Sequence, residues 1–244
     1  MLLEIVKKVV TAIIKRMLSL RNRINNEFYD VDEKLKRDIR LSIIEGSFAT
    51  IMSTLVGGAF LTGFALVLGA DSFIVGILAS IPLLTNLVQI IGSYIISRLG
   101  SSKRVCIIYI FLHRLLWVGI LTLPFFVFRD SLGDIRVWIF VVLIGIVSIF
   151  ASITNVSWMS WMSGLIPKEI RGRFFARRDT AARIVGMLLV VIAGKFIDYW
   201  NNLNSGSLLY QSYGFIILFA FGTIAGFVSI ILLRRMTESQ ENDL

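Results

Sequence analysis

Six long runs of apolar residues, separated by short polar segments, dominate the chain. They run from Ile43 to Leu68, Phe73 to Ile96, Val105 to Phe128, Val137 to Met162, Ala181 to Ile197 and Tyr213 to Leu233. Most match the roughly 20 residues that an α-helix needs to cross a hydrocarbon core about 30 Å thick. The fifth run contains Arg183 and Lys195, so it spans only if those side chains extend to the headgroups. The pattern predicts an all-α, polytopic membrane protein with six transmembrane helices in one bundle, residues 43–235.

The basic residues indicate how this bundle is oriented. Twenty-one of the 25 Lys and Arg residues lie before Ile43, between the second and third runs, between Pro167 and Arg183, or at Arg234 and Arg235. All these segments fall on one side of the membrane if the chain zigzags. The positive-inside rule then predicts a plasma-membrane protein with both termini in the cytoplasm. The net charge of +9 is thus a topology signal, and charge divided among apolar runs does not indicate a nucleic-acid partner.

The segments outside the bundle are polar. Residues 1–42 include a basic amphipathic stretch with apolar side chains three or four residues apart: Leu3, Val6, Val10, Ile13, Met17 and Leu20. This spacing predicts a helix that lies in the cytoplasmic interface of the lipid bilayer or packs on the bundle. Residues 236–244 form an acidic, polar tail, which we interpret as a cytoplasmic end or the start of a central linker.

A stripe of small residues marks the first run, where Gly46, Thr50, Thr54, Gly58 and Thr62 recur every fourth residue. Such stripes let a second helix approach closely, and packing is their commonest role. The threonine hydroxyls are also candidates to line a polar cavity. Both interpretations remain open at this point.

Polar side chains near the middle of the membrane are costly unless they face the bundle interior or water. Arg114 falls close to the midplane, and Asn86, Gln89 and Asn155 fall at similar depth. The nearest acid is Glu45, about one turn inside the first run. Two interpretations follow: an internal polar clamp formed by these five residues, which the pairing tendency of intramembrane charges favours, or an Arg114 that binds an anionic solute or an acid on a partner domain. Glu45 is also the candidate for a protonation site.

The sequence contains none of the common intramembrane catalytic constellations. The one histidine, His113, precedes Ser160 and Ser163, whereas in a membrane serine protease the histidine follows the serine. An H-E-x-x-H metal site needs two histidines, so a single histidine excludes it. Acids suited to an aspartyl protease lie only at the ends of the runs. The single cysteine, Cys106, has no partner for a disulfide. We therefore expect no catalysis, no metal site and no cofactor.

Two polar segments carry a family resemblance. Between the second and third runs, an Arg, a Gly and a late basic pair follow Gly92, but Ser97 stands where the pattern G-x-L-x-D-R-x-G-R-R has Asp. Between the fourth and fifth runs, the chain from Pro167 to Arg173 fits P-x-E-x-R-G-R. With this topology, the chain resembles the amino-terminal six-helix half of a major facilitator superfamily transporter, in a poorly characterised bacterial branch.

The resemblance implies transport of a small solute by alternating access, in which two six-helix halves rock about a central site. The two segments would then act as a conformational latch: Arg98, Gly100, Lys103, Arg104, Pro167, Glu169, Arg171, Gly172 and Arg173. Candidate cavity residues are Thr50, Thr54, Asn86, Gln89, Arg114, Ser152 and Asn155. In the family the first and fourth helices line the cavity and the third supports them, which counts against Arg114.

Because the family needs about twelve helices, the resemblance also implies a second six-helix half. That half would belong to the same longer chain, or to a second copy or a different polypeptide. A different class of function also fits six helices: a non-transporting assembly or sensor subunit that pairs with another membrane protein. Nothing in the residues identifies the solute.

Overall fold

The structure, a computed structural model, describes residue 28 and residues 31–127, 135–203 and 206–238. The predicted amphipathic stretch and the end of the tail lie outside these residues. The described part is all-helical, in this order: α1 (Glu33–Leu55), α2 (Gly58–Val67), α3 (Ser72–Thr85), a short 3-10 helix (Asn86–Val88), α4 (Gln89–Leu99), α5 (Ser102–Val127), α6 (Ile135–Leu165), α7 (Lys168–Leu203) and α8 (Leu208–Arg234).

Six segments of the described chain are long and apolar enough to cross a membrane, as the hydropathy pattern predicts. They are Glu33–Val67, Ser72–Leu99, Ser102–Thr122, Ile135–Leu165, Lys168–Leu203 and Leu208–Arg234. We number them as the first to the sixth span. The first span comprises α1 and α2, and the second comprises α3, the 3-10 helix and α4. Each remaining span is a single helix.

The first span is broken in the middle, whereas the sequence pattern predicted one continuous helix from Ile43 to Leu68. Helix α1 ends at Leu55, Gly57 is extended, and Gly58 opens α2 with φ of +50°. Only glycine adopts such a φ readily, because it lacks a Cβ atom. The second span is also irregular. The proline ring of Pro82 removes a helical hydrogen bond, and the 3-10 turn Asn86–Val88 follows one turn later.

The fifth span begins well before its apolar run. The charged residues after Pro167 lie outside the apolar runs, yet α7 is helical from Lys168 onward. Ile170 and Phe174 are buried on one face of this helix, and they anchor its polar first turns to the bundle. Arg178 consequently lies inside a helix and points into the bundle rather than into a loop.

The spans pack in a pattern that repeats after three. The first span packs mainly on the fifth and sixth, the fourth packs on the second and third, and the third contacts the sixth. If the first span is exchanged with the fourth, the second with the fifth and the third with the sixth, the same contacts result. The second and fifth spans are correspondingly the least buried.

Apolar packing holds the two ends of the bundle together. At one end Phe64 is fully buried, and its ring lies 5.3 Å from that of Phe140 and 5.2 Å from that of Phe219, both edge-on. At the other end a second cluster surrounds Trp161 and Phe174, which are also fully buried. Offset and edge-on aromatic contacts of this kind add to the energy of burial.

We call the end of the bundle around Trp161 the basic end. The chain after the sixth span crosses it: the Thr237 amide and hydroxyl donate to Asp38 Oδ2, and the Trp161 indole donates to the Thr237 carbonyl at 3.0 Å. Lys103 donates to the Met236 carbonyl. The start of the first span, the link between spans two and three, and the ends of spans four and six therefore meet at one end, as a zigzag requires.

Candidate functional site

A cavity of about 610 Å³ opens within the bundle. Its walls come from the first four spans, with Arg178 added from the fifth. Among the predicted residues it brings together Glu45, Thr50, Asn86, Arg114, Ser152 and Asn155. Thr54 and Gln89 do not border it. The irregular parts of two spans also border the cavity: Val56, Gly57 and Gly58 of the first span, and Pro82 and Thr85 of the second.

A buried ion pair forms one wall of this cavity. Arg178 Nη2 donates to Glu45 Oε2 at 3.1 Å, and the Ser229 hydroxyl donates to Glu45 Oε1 at 3.0 Å. Glu45 is only 2% exposed. The Arg178 guanidinium also lies 4.0 Å from the centre of the Trp158 ring, a favourable cation–π position. A Cβ atom at Gly46 would come within 2.9 Å of this guanidinium, so the small residue leaves room for the pair.

Arg114, which the third span contributes to the cavity wall, has no ion-pair partner among the described residues. It is 7% exposed, and its Nη1 donates to the ring nitrogen Nδ1 of His113 at 2.7 Å. Its Nε has no hydrogen-bond partner. A Cβ atom at Gly226 would come within 2.5 Å of this Nε, so Gly226 lets the side chain pass between the third and sixth spans. The third span thus contributes to the cavity, although the resemblance assigned it a supporting role.

The predicted five-residue clamp does not form. Glu45 pairs with Arg178 instead of Arg114, and the Gln89 amide donates to Asn86 Oδ1 at 3.1 Å within the second span. Asn86 and Asn155 are exposed on the cavity side of their helices. The reason is that Arg178 occupies the position beside Glu45, and the sequence pattern had placed that residue in a loop.

The small-residue stripe of the first span is mainly a packing face. A Cβ atom at Gly186 of the fifth span would lie 3.2 Å from Thr50 Cγ2 and 3.4 Å from Thr54 Oγ1. The Thr50 hydroxyl donates to the Gly46 carbonyl of its own helix at 2.8 Å. Small residues on two spans therefore meet, as predicted for close helix packing. Thr50 additionally borders the cavity.

Several latch candidates hold backbone carbonyls at the basic end. The Arg171 guanidinium donates to the carbonyls of Ser163 and Ile166, the latter at 3.2 Å from Nη2. These carbonyls end the fourth span, where a helix has unpaired acceptors and partial negative charge. Lys103 holds Met236 in a similar way.

The other latch candidates are placed differently. Arg98 is exposed and contacts Tyr94 of its own helix, with Nε donating to the phenol oxygen at 2.9 Å. Arg173 lies over the Phe28 ring. Arg104 is exposed, and its backbone amide donates to the Ser101 hydroxyl oxygen at 3.1 Å. Pro167 and Glu169 are exposed at the start of α7, where an acidic side chain suits the helix dipole.

Two glycines of the latch segments should respond in opposite ways to replacement by alanine. Gly100 ends α4 with φ of +60°, Gly172 lies inside α7, and a Cβ atom at either would meet nothing within 4 Å. Conformation alone therefore decides the outcome. We expect Gly100→Ala to lower the free energy of unfolding by about 1 kcal/mol, and Gly172→Ala to raise it by roughly 0.5–1 kcal/mol.

Thermal unfolding of the two purified variants beside the parent protein tests this pair. Gly100→Asn should cost less than Gly100→Ala, because Asn tolerates the left-handed region. Equal shifts of the same sign for Gly100→Ala and Gly172→Ala would contradict the assigned conformations.

Sequence reasoning missed Arg178, Trp117 and Trp158 as cavity residues. The signal for Arg178 was present: Ile170, Phe174 and Arg178 recur every fourth residue, a helical period that continues into the fifth run. Because this segment contains many charged residues, the hydropathy pattern did not include it in the fifth run, and the helical spacing was missed. Trp117 follows Arg114 by three residues. This spacing places both side chains on the same face of a helix, and it could have predicted that Trp117 borders the cavity.

Comparison with known proteins adds no assignment. The sequence matches no protein-family model, and no curated protein or solved structure matches it either.

Proposed function

We propose that the chain is one six-span half of a secondary transporter of the major facilitator type, which carries a small solute across the plasma membrane by alternating access. The observation that carries this proposal is the cavity of about 610 Å³ among four membrane-spanning segments, lined by Arg114, Asn86, Asn155 and the Glu45–Arg178 pair. Polar groups at such depth are costly and typically mark a solute pathway. A cavity of this volume suits a small molecule.

The packing pattern supports the same proposal. Each six-helix half of a major facilitator transporter contains two inverted repeats of three helices. Here the main contacts among spans, those of the first with the fifth and sixth, of the fourth with the second and third, and of the third with the sixth, are unchanged when the first three are exchanged for the last three, and successive spans run in opposite directions. The second and fifth spans leave the most surface uncovered, and a second six-span half would cover part of it. In this proposal the basic end is cytoplasmic.

Accessibility of the cavity from both sides of the membrane tests alternating access without knowledge of the solute. In a Cys106→Ser background, Ser53→Cys places a thiol at an exposed position on the cavity wall. We expect an impermeant thiol reagent to label it in right-side-out and in inside-out vesicles. Leu188→Cys, exposed on the apolar surface of the fifth span, is the control and should resist labelling from both sides.

Labelling of Ser53→Cys from one side only would contradict alternating access. It would favour the alternative function, a non-transporting assembly or sensor subunit. The vesicles should come from the source cells, with the substitution made in the gene at its natural length.

Arg171 should control the balance between the two accessible states. Its charge-assisted hydrogen bonds to the end of the fourth span are worth roughly 1.5–3 kcal/mol, and tenfold corresponds to about 1.4 kcal/mol. We therefore expect Arg171→Ala to change the ratio of labelling rates from the two sides about tenfold. Arg98→Ala should have a smaller effect, because Arg98 contacts only its own helix among the described residues.

Lys168→Ala is the matched control for this measurement. Lys168 is an exposed basic residue in the same turn of α7. A change of ratio as large in Lys168→Ala as in Arg171→Ala would show that loss of charge alone, and not the helix cap, is responsible.

A further inference from the structure

The hydrogen-bond donors and the charges of the cavity favour binding of an anion. This inference rests on the proposed function, because it names the substrate class of the same site. The charged side chains on the cavity wall, among the described residues, are Glu45, Arg114 and Arg178. Two guanidinium groups thus face one carboxylate. The excess of one positive charge in a membrane interior is costly unless an anion balances it.

The one carboxylate is already engaged. Glu45 accepts from Arg178 and from Ser229, one on each oxygen. Arg114 forms no ion pair within the described residues, and its one recorded hydrogen bond goes to the neutral acceptor His113. The unbalanced charge therefore belongs to the Arg114 side of the cavity.

Unpaired hydrogen-bond donors belong to several residues that border the same space. Four buried N–H groups of cavity residues have no partner: Arg114 Nε, Trp117 Nε1, Trp158 Nε1 and Arg178 Nε. Arg114 and Trp117 are more than nine-tenths buried and lie one turn apart on α5. Buried donors left unpaired are rare and need an explanation. These nitrogens are covered in the structure, so an oxygen acceptor in the cavity would pair with those of Arg114 and Trp117 once the two side chains turn toward it.

The break in the first span places two helix ends at the cavity, the C-terminus of α1 with partial negative charge and the N-terminus of α2 with partial positive charge. Helix α2 begins at Gly58, on the cavity wall. The amides in the first turn of a helix have no carbonyl partner within it and carry partial positive charge. Half-helices that begin inside a membrane protein bind anionic groups of substrates in this way.

The rest of the wall is apolar. Val56, Leu61, Leu78, Ile110 and Ile144 border the cavity together with the polar groups. A small inorganic ion would leave this surface without a contact. We propose that the cavity binds a small organic monoanion, with a carboxylate head on Arg114 and Trp117 and an apolar body against the aliphatic wall.

Equilibrium binding to the purified protein of natural length tests this assignment. The probe is radiolabelled hexanoate, with unlabelled hexanamide, chloride and inorganic phosphate as competitors. We expect saturable binding that unlabelled hexanoate displaces and hexanamide displaces at least tenfold less well. Displacement by hexanamide as efficient as by hexanoate would overturn the need for an anion. Displacement by chloride or phosphate as efficient as by hexanoate would overturn the organic carboxylate.

Variants locate the site. Arg114→Gln should weaken hexanoate binding roughly tenfold or more, the effect of a lost charge-assisted hydrogen bond. Arg114→Lys should retain part of the affinity. Arg183→Gln, which removes an exposed arginine from the same helix as Arg178, should bind like the parent protein. Unchanged binding in Arg114→Gln would overturn the proposal.

Trp117→Phe keeps the proposal testable if Arg114 variants fold poorly. It removes an unpaired N–H and retains a buried ring, so it should not lower the unfolding temperature. We expect it to weaken hexanoate binding about 2- to 10-fold, the value of one hydrogen bond. Unchanged affinity would contradict the assigned contact.

The outcomes for binding and for transport are separable. Saturable, Arg114-dependent binding with Ser53→Cys labelled from one side only would leave the anion site standing and refute the transporter. Labelling from both sides without hexanoate binding would refute the anion site and leave the transporter standing.

Discussion

Glu45→Ala is expected to be among the most destabilising single substitutions, lowering the free energy of unfolding by about 3–5 kcal/mol. The variant removes the acceptor for both Arg178 and Ser229. It leaves a guanidinium beside the Trp158 ring, buried and without its counter-ion. Removal of one partner of a buried pair costs more than the pair itself contributes, because the remaining charge is not solvated.

The unfolding of these variants can be measured through the single cysteine. Cys106 is fully buried, so its reaction with a thiol-specific dye during heating reports unfolding. Asp179→Ala is the control, since Asp179 is an exposed acid next to Arg178, and it should shift the transition little. The double variant Glu45→Ala/Arg178→Ala should be more stable than Glu45→Ala, because no uncompensated charge remains. A double variant whose loss equals the sum of the two single losses would show that the groups are not coupled.

Trp161→Ala is expected to cost about 3–5 kcal/mol of unfolding free energy, the usual range for removal of a large buried aromatic side chain. Trp161 is the largest of the fully buried side chains in the described part of the chain. It also donates to the Thr237 carbonyl, and Lys103 lies 5.5 Å from the centre of its ring. Its loss removes packing from the basic end and one support of the chain that follows the sixth span.

Trp161→Phe separates packing from hydrogen bonding. It retains most of the ring contacts and loses the bond to Thr237, so we expect a cost of roughly 1–2 kcal/mol. Trp138→Ala is the control at an exposed indole, 45% accessible, and should change the dye-monitored transition little. A loss in Trp138→Ala as large as in Trp161→Ala would contradict the assigned burial.

The main features of the bundle could be predicted from residue order. Each apolar run follows the length rule for a membrane span, and this rule depends on local composition alone. The predicted contact face on the first span is found against Gly186. The second span is irregular after Pro82, where a 3-10 turn follows, because proline cannot donate a helical hydrogen bond.

The errors share a physical origin. The polar first turns of α7 contain no apolar run, yet they are helical because Ile170 and Phe174 pack against the second core. The break at Gly57 and Gly58 lies inside an apolar run and does not change its hydropathy. Hydropathy reports the solvent around a segment, and it carries little information about the backbone inside that segment.

The sequence by itself determined six membrane-spanning helices, the side of the zigzag that holds the basic residues, and the presence of polar side chains at membrane depth. These are properties of single segments. Only the tertiary structure decided that Glu45 pairs with Arg178, 133 residues away, and that Arg114 borders the same cavity without an ion-pair partner among the described residues. Such pairings depend on how the spans pack and where each helix begins, because a charge inside a bundle is stabilised by whichever partner the packing brings within hydrogen-bond distance.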